Sequence, residues 1–198
     1  MKHIFLVPGL LLLCLSACLW RPDCPCYIDQ EGLKHNAHSV AESAGYSLWV
    51  FYGLRKLKYL EGETYRLFVM PALSEQTIYT LQRDQDSISL SVQYYNQMDL
   101  YPHRDSLDRQ EIYAIPLSDW ESVNQIADSA CLWTMKPYSG YQSRDGTKYL
   151  LEMDRLQPHV CTEKNYHLIG RTTGEDEPGF FALSRALITL TEKNKRRP

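Results

Sequence analysis

Ser87-Ile-Ser-Leu-Ser-Val-Gln-Tyr-Tyr95 is the stretch that decides the fold. Ile88, Leu90, Val92 and Tyr94 fall on one side of a two-residue repeat, and Ser87, Ser89, Ser91 and Gln93 on the other. Successive side chains of an extended chain point to opposite faces, so the pattern is a strand with one apolar and one wet face. Strands of that kind belong to antiparallel sheets, whereas parallel strands are buried on both faces and read as continuous apolar runs. Toward the N-terminus, residues 77–83 predict a second strand, joined to the first by the turn Asp84-Gln85-Asp86. Residues 64–70 predict a third, stopped by Pro71, and the apolar and aromatic run 45–52 reads as a fourth.

Toward the C-terminus, residues 96–108 are polar and read as a loop, and 110–117 as a strand. Ser118-Asp-Trp-Glu121 fits a capping box, with Ser118 as N-cap of a helix that ends near Ala130. Residues 148–153 and 159–170 predict a hairpin across residues 154–158. Phe180, Leu183, Leu187 and Leu190 then repeat at helical spacing, and Leu183 and Leu187 are expected to be buried. Acidic residues 175–177 precede this helix and the basic cluster 193–197 follows it, which suits the helix dipole. That basic cluster reads as a solvated tail. Strands, a helix, two strands and a helix make an α+β domain: an antiparallel sheet with a mid-chain helix and a C-terminal helix packed on one face.

The N-terminus carries a different signal. Lys2 precedes an apolar run over residues 4–15, broken by Pro8 and Gly9. At about 1.5 Å per residue the run makes roughly 18 Å of helix, too short for a hydrocarbon core of about 30 Å. It reads as a secretory signal segment. Leu15-Ser16-Ala17-Cys18 resembles the lipobox of bacterial lipoproteins. The resemblance implies cleavage before Cys18, acyl chains on that cysteine and a membrane partner held through them. It places the chain in the bacterial cell envelope, and Leu19 after the cysteine favours the outer membrane in a Gram-negative host. The domains are then 1–17, signal peptide; 18–44, a proline-broken polar tether; and 45–198, the single α+β domain.

Composition narrows the partners. The chain has 21 basic and 24 acidic side chains and a formal charge of −3. That argues against nucleic acid, which needs clustered Lys and Arg to neutralise phosphates. Fourteen Tyr and four Trp suit binding surfaces for protein or glycan and equally suit half-buried strands, and the strand reading is favoured. Beyond the anchor and the leader, Cys24, Cys26, Cys131 and Cys161 remain, and an exported compartment permits disulfides. Cys131 with Cys161 is the favoured pair, closing a loop that contributes roughly 3–4 kcal/mol in the chain-entropy model.

Signatures of catalysis are sparse. Gly-x-Ser-x-Gly, a glycine-rich phosphate loop and His-Glu-x-x-His are absent. Cys24, Cys26, His35 and His38 offer two thiolates and two imidazoles, but Cys-x-Cys is tighter than zinc-finger spacing, so neither metal nor cofactor is expected. The acid/base candidates are His103, Asp105 and Asp108, and Asp145, Glu152, His159 and His167 near the hairpin. Turn chemistry explains Asp145-Gly146, and Glu152, His159 and His167 either face solvent or satisfy each other. Tyr65-Arg66-Leu67, Ser118-Asp119-Trp120, Trp133, Asp145-Gly146, Leu151-Glu152, Tyr166-His167 and the Phe181/Leu187 helix together resemble a pattern in uncharacterised exported bacterial proteins. It spans roughly residues 65–190 and carries no activity. The expectation is a lipid-anchored envelope protein that binds a protein or glycan. An envelope hydrolase with a His/carboxylate site and an assembly accessory of an envelope complex are the alternatives.

Overall fold

The computed structural model describes residues 52, 54, 57, 62–72, 74–85, 87–96, 107–135, 146–156, 166–173 and 177–196. The elements are β1 (Glu63–Pro71), β2 (Gln76–Asp84), β3 (Ser87–Tyr95), β4 (Leu107–Ala114), α1 (Leu117–Ser129), a 3₁₀ turn (Leu132–Thr134), β5 (Thr147–Asp154), β6 (Tyr166–Thr172) and α2 (Pro178–Lys195). The six strands form one antiparallel sheet in the order β4-β3-β2-β1-β5-β6. The fold is α+β.

Period-two alternation in every strand sorts the side chains into two layers. Tyr65, Leu67, Leu81, Leu90, Val92, Leu151, Met153 and Ile169 line one face, and both helices cover it. α1 contributes Trp120, Val123 and Ala127; α2 contributes Phe180, Leu183, Leu187 and Leu190, so the helical stripe read from the sequence is the core-facing one. The helices approach closely where Gly179 meets Ala130: a Cβ on Gly179 would lie 2.7 Å from that of Ala130. On the opposite face a smaller apolar cluster gathers Tyr52, Phe68, Ile78, Tyr95, Leu150 and Leu168.

Several local expectations are corrected. Ser118 does not cap α1. The helix opens at Leu117 with Pro116 as N-cap, which uses no side-chain cap bond. Proline's fixed φ already suits a helix entry, and the Pro116 carbonyl accepts from the Asp119 amide at 3.0 Å. β4 lies at Leu107–Ala114 rather than 110–117, because Pro116 cannot donate to a ladder. Pro71 is the last residue of β1 instead of standing beyond it. Tyr52 is helical, not extended. Lys193 and Lys195 belong to the last turn of α2 rather than to a tail: Lys193 bonds Asp119 of α1 at 2.7 Å, and Lys195 bonds the Tyr94 hydroxyl at 3.1 Å. In the β2–β3 turn Gln85 takes a positive φ of 47°. Gly62, at φ +89°, sits against the Arg83 carbonyl, where a Cβ would collide with the oxygen. The leader, the tether and Cys18 lie outside the described residues.

Candidate functional site

The acid/base candidates resolve into one buried cluster and one isolated histidine. Alternation along β1 puts Thr64, Arg66 and Phe68 on the face away from the helices, and the register sets Arg66 directly opposite Glu152 of β5. The Arg66 guanidinium donates to Glu152 Oε2 at 3.1 Å, with side-chain exposures of 5% and 0%. Tyr166, diagonal to Glu152 on β6, donates its hydroxyl to Oε1 at 2.9 Å. Both carboxylate oxygens are therefore engaged. Burial lowers the guanidinium's pKa, and the Glu152 charge opposes that shift. Asp154 stands two residues along on the same face and is also buried. Burial pushes its carboxyl up to about 6; the hydrogen bond from the Arg155 amide pulls it down, and the neighbouring Glu152 charge raises it again.

His167 does not join this cluster. Register pairs it with Met153, so it projects from the helix-covered face while Glu152 projects from the other, and the two cannot satisfy each other. Its Nε2 makes a 2.9 Å hydrogen bond with the Met135 carbonyl instead. Neither Glu152 nor His167 is solvent-facing. Asp108 is exposed at the start of β4 and pairs with Arg109 at 3.6 Å. His103, Asp105, Asp145 and His159 lie outside the described residues, as do Cys24, Cys26, His35 and His38. Among the described residues, no three His, Cys, Asp or Glu side chains gather as metal ligands. Cys131 is disulfide-bonded and adopts a left-handed conformation at φ 54°. Every other cysteine, Cys161 included, lies outside the described residues.

The other notable region is the β4 edge. No described strand pairs with its outer side, and Asp108, Arg109, Gln110, Ile112 and Ala114 are all exposed. Ile112 is 68% exposed, with Leu117 and Leu156 one of three exposed large apolar side chains among the described residues. Beside it on the helix-free face runs a polar strip of Ser89, Ser91, Gln93 and Gln110, tied by the Gln110 amide donating to Ser91 Oγ at 2.9 Å. On the helix-covered side the strand is pinned. Tyr94 and Tyr113 donate to Glu111 at 3.1 and 2.7 Å, Lys195 lies 3.5 Å from Glu111, and Arg109 stacks over Tyr94 at 3.7 Å while reaching Glu75 at 3.3 Å.

Sequence reading missed Arg66 and Tyr166 as partners of Glu152. The available signal was an Arg and a Glu each set among the apolar middle residues of a strand. The exposed edge was missed because strand order is not written in the alternation. No family model, curated protein or solved structure matches the chain. Among the described residues, no helix is long and apolar enough to cross a membrane, which says nothing of strands.

Proposed function

We propose that the chain is a bacterial envelope lipoprotein, anchored through lipid on Cys18, whose folded body binds another envelope protein and carries out no reaction of its own. The observation that carries the binding reading is the open β4 edge with its polar strip. An extended segment adds to such an edge through main-chain hydrogen bonds, with side-chain sites on alternate residues giving specificity. A protein fits this edge better than a glycan does. Among the described residues, Tyr52, Tyr65, Tyr94, Tyr95, Trp120 and Trp133 are buried in the two apolar layers, not displayed as stacking platforms. The hydrolase alternative asks for a histidine beside a carboxylate, and among the described residues Glu152 and His167 stand on opposite faces.

Two measurements test this reading. Cys18→Ser should remove the acyl mass and release the chain from membranes. A mutant that stays in the pellet after a carbonate wash overturns the anchor. A photo-reactive side chain at Gln110 should give a protein adduct in cells, while the same probe at exposed Glu121 on α1 should give none. No adduct at Gln110, or equal adducts at both positions, overturns the binding reading.

A further inference from the structure

We infer that the partner at the β4 edge is a second copy of this chain, paired antiparallel about a two-fold axis at Gln110. This rests on the binding reading above and names its partner.

The backbone decides which groups are offered. The Ile115 amide donates to the Ile88 carbonyl at 2.9 Å, and the β3–β4 register runs in step with that bond. Hydrogen bonding alternates along an antiparallel pair, so Tyr113 and Glu111 spend their amides and carbonyls on β3. Gln110, Ile112 and Ala114 turn theirs outward. A two-fold axis through Gln110 sets Gln110 opposite its own copy as a hydrogen-bonded pair, with two main-chain bonds at the axis.

Charge then selects this register. With Gln110 at the axis, Arg109 of one copy lies across from Glu111 of the other, twice by symmetry. Cross-strand pairs of opposite sign stabilise a sheet, and like charges destabilise it. Moving the axis one residue, to Glu111, opposes two carboxylates. Moving it to Ile112 leaves Arg109 across from Ile115. Within one chain the two already lie 3.7 Å apart, and both keep solvent-accessible area for a second partner, at 48% for Arg109 and 28% for Glu111. The β-bulge opposite Tyr94 and Tyr95 sets Asp108 off the regular ladder. The pairing is therefore short, and the dimer dissociates on dilution. Such an interface is isologous and closes on itself, so it ends at two copies and does not grow into a fibre.

The test is sedimentation of the full-length lipidated protein, in excess detergent micelles, over a concentration series. Wild type should show a reversible dimer. Gln110→Pro should be monomeric throughout and still fold, because it deletes an outward amide and leaves the β3 main-chain ladder whole, losing within the chain only the exposed side-chain bond to Ser91. Arg109→Glu and Glu111→Arg should each weaken the dimer by about tenfold or more, and the double variant should restore it. Within one chain the swap keeps the 3.7 Å pair between positions 109 and 111 but sets a carboxylate beside Glu75 and a guanidinium beside Lys195, so rescue is read in the dimer dissociation constant of the folded variants and the melting temperature reads the intrachain contacts. If Glu111→Arg fails to fold, Arg109→Glu and Gln110→Pro, both at exposed positions, carry the test. A monomeric wild type, a Gln110→Pro variant that dimerises normally, or a double variant no better than the folded singles overturns the inference. A monomeric wild type that still gives a larger adduct at Gln110 overturns self-pairing alone, and the binding reading stands.

Discussion

Removing the Glu152 carboxylate should be among the costliest single changes in the sheet. Glu152→Leu puts an apolar side chain of similar size in place of the carboxylate that accepts from the Arg66 guanidinium and from the Tyr166 hydroxyl. An exposed ion pair is worth about 0–1 kcal/mol. Here the two side chains are 5% and 0% exposed, which puts the pair in the buried class, where loss of one partner costs about 3–5 kcal/mol. With a urea dependence of about 2 kcal/mol per molar, the midpoint should fall by roughly 2 M. Arg66→Met/Glu152→Leu removes both charges and should recover most of that loss, since burying two ions is itself expensive and a packed apolar pair can equal or exceed them. Urea unfolding of wild type, both single variants and the double variant gives the coupling energy directly. A Glu152→Leu loss below about 1 kcal/mol, or a double variant as unstable as the sum of the singles, would refute the reasoning.

Three further outcomes are expected. Asp154 has its carboxyl raised from the ordinary 3.8 to about 6, so its protonated form favours the fold: the contribution is whole below pH 3.8 and is lost as pH rises through about 6. Asp154→Asn should remove that part of the pH dependence in unfolding titrations, and an unchanged slope between those values would count against the assignment. Leu187→Ala, at a fully buried position, should cost about 2–5 kcal/mol and lower the melting temperature by roughly 4–20 °C, while Lys193→Ala, which loses a half-exposed bond to Asp119, should cost at most about 1 kcal/mol; equal effects in calorimetry would show that α2 is not part of the core. Gly62→Ala forces both a positive φ and a collision with the Arg83 carbonyl, so it should destabilise more than a helix-interior Gly→Ala change alters a helix; a neutral result in thermal melts would mean that the β1 entry relaxes freely.

The elements that alternate cleanly were legible in sequence. β3 has the predicted bounds, and β1, β2 and β5 each run one residue further at both ends, because their apolar faces are continuous and a two-residue repeat is hard to mistake. α2 was legible for the same reason at a period of 3.6 residues. β4 was displaced because Ile112 and Leu117 look like core residues and are in fact 68% and 50% exposed; apolar identity marked the strand and misplaced its limits. The capping motif at Ser118 failed because Pro116 had already set the helix entry. Alternation gives each residue a face but not a neighbour. Glu152 could thus be placed on a strand without any hint that Arg66, on a strand far away in the chain, stands across from it. The candidate edge was hidden for the same reason: which strand ends the sheet follows from the pairing order.

The position of β1 also sets a timetable for assembly. One of its neighbours, β2, arrives through a short connection, with Val69 paired to Thr77 and Glu63 to Arg83. The other, β5, arrives only after β3, β4 and α1 have been made, since Thr64 must wait for Asp154. Closing a longer loop costs more entropy, and distant pairings form more slowly. For a chain delivered N-terminus first, the pairings available before β5 arrives are those of a four-stranded meander open on both sides. Its β1 border, rich in Leu67, Phe68 and Val69, is sealed in the finished protein and bare until the second half arrives. During that interval the strand that later holds the centre of the sheet is the one most prone to misjoin with a neighbouring chain.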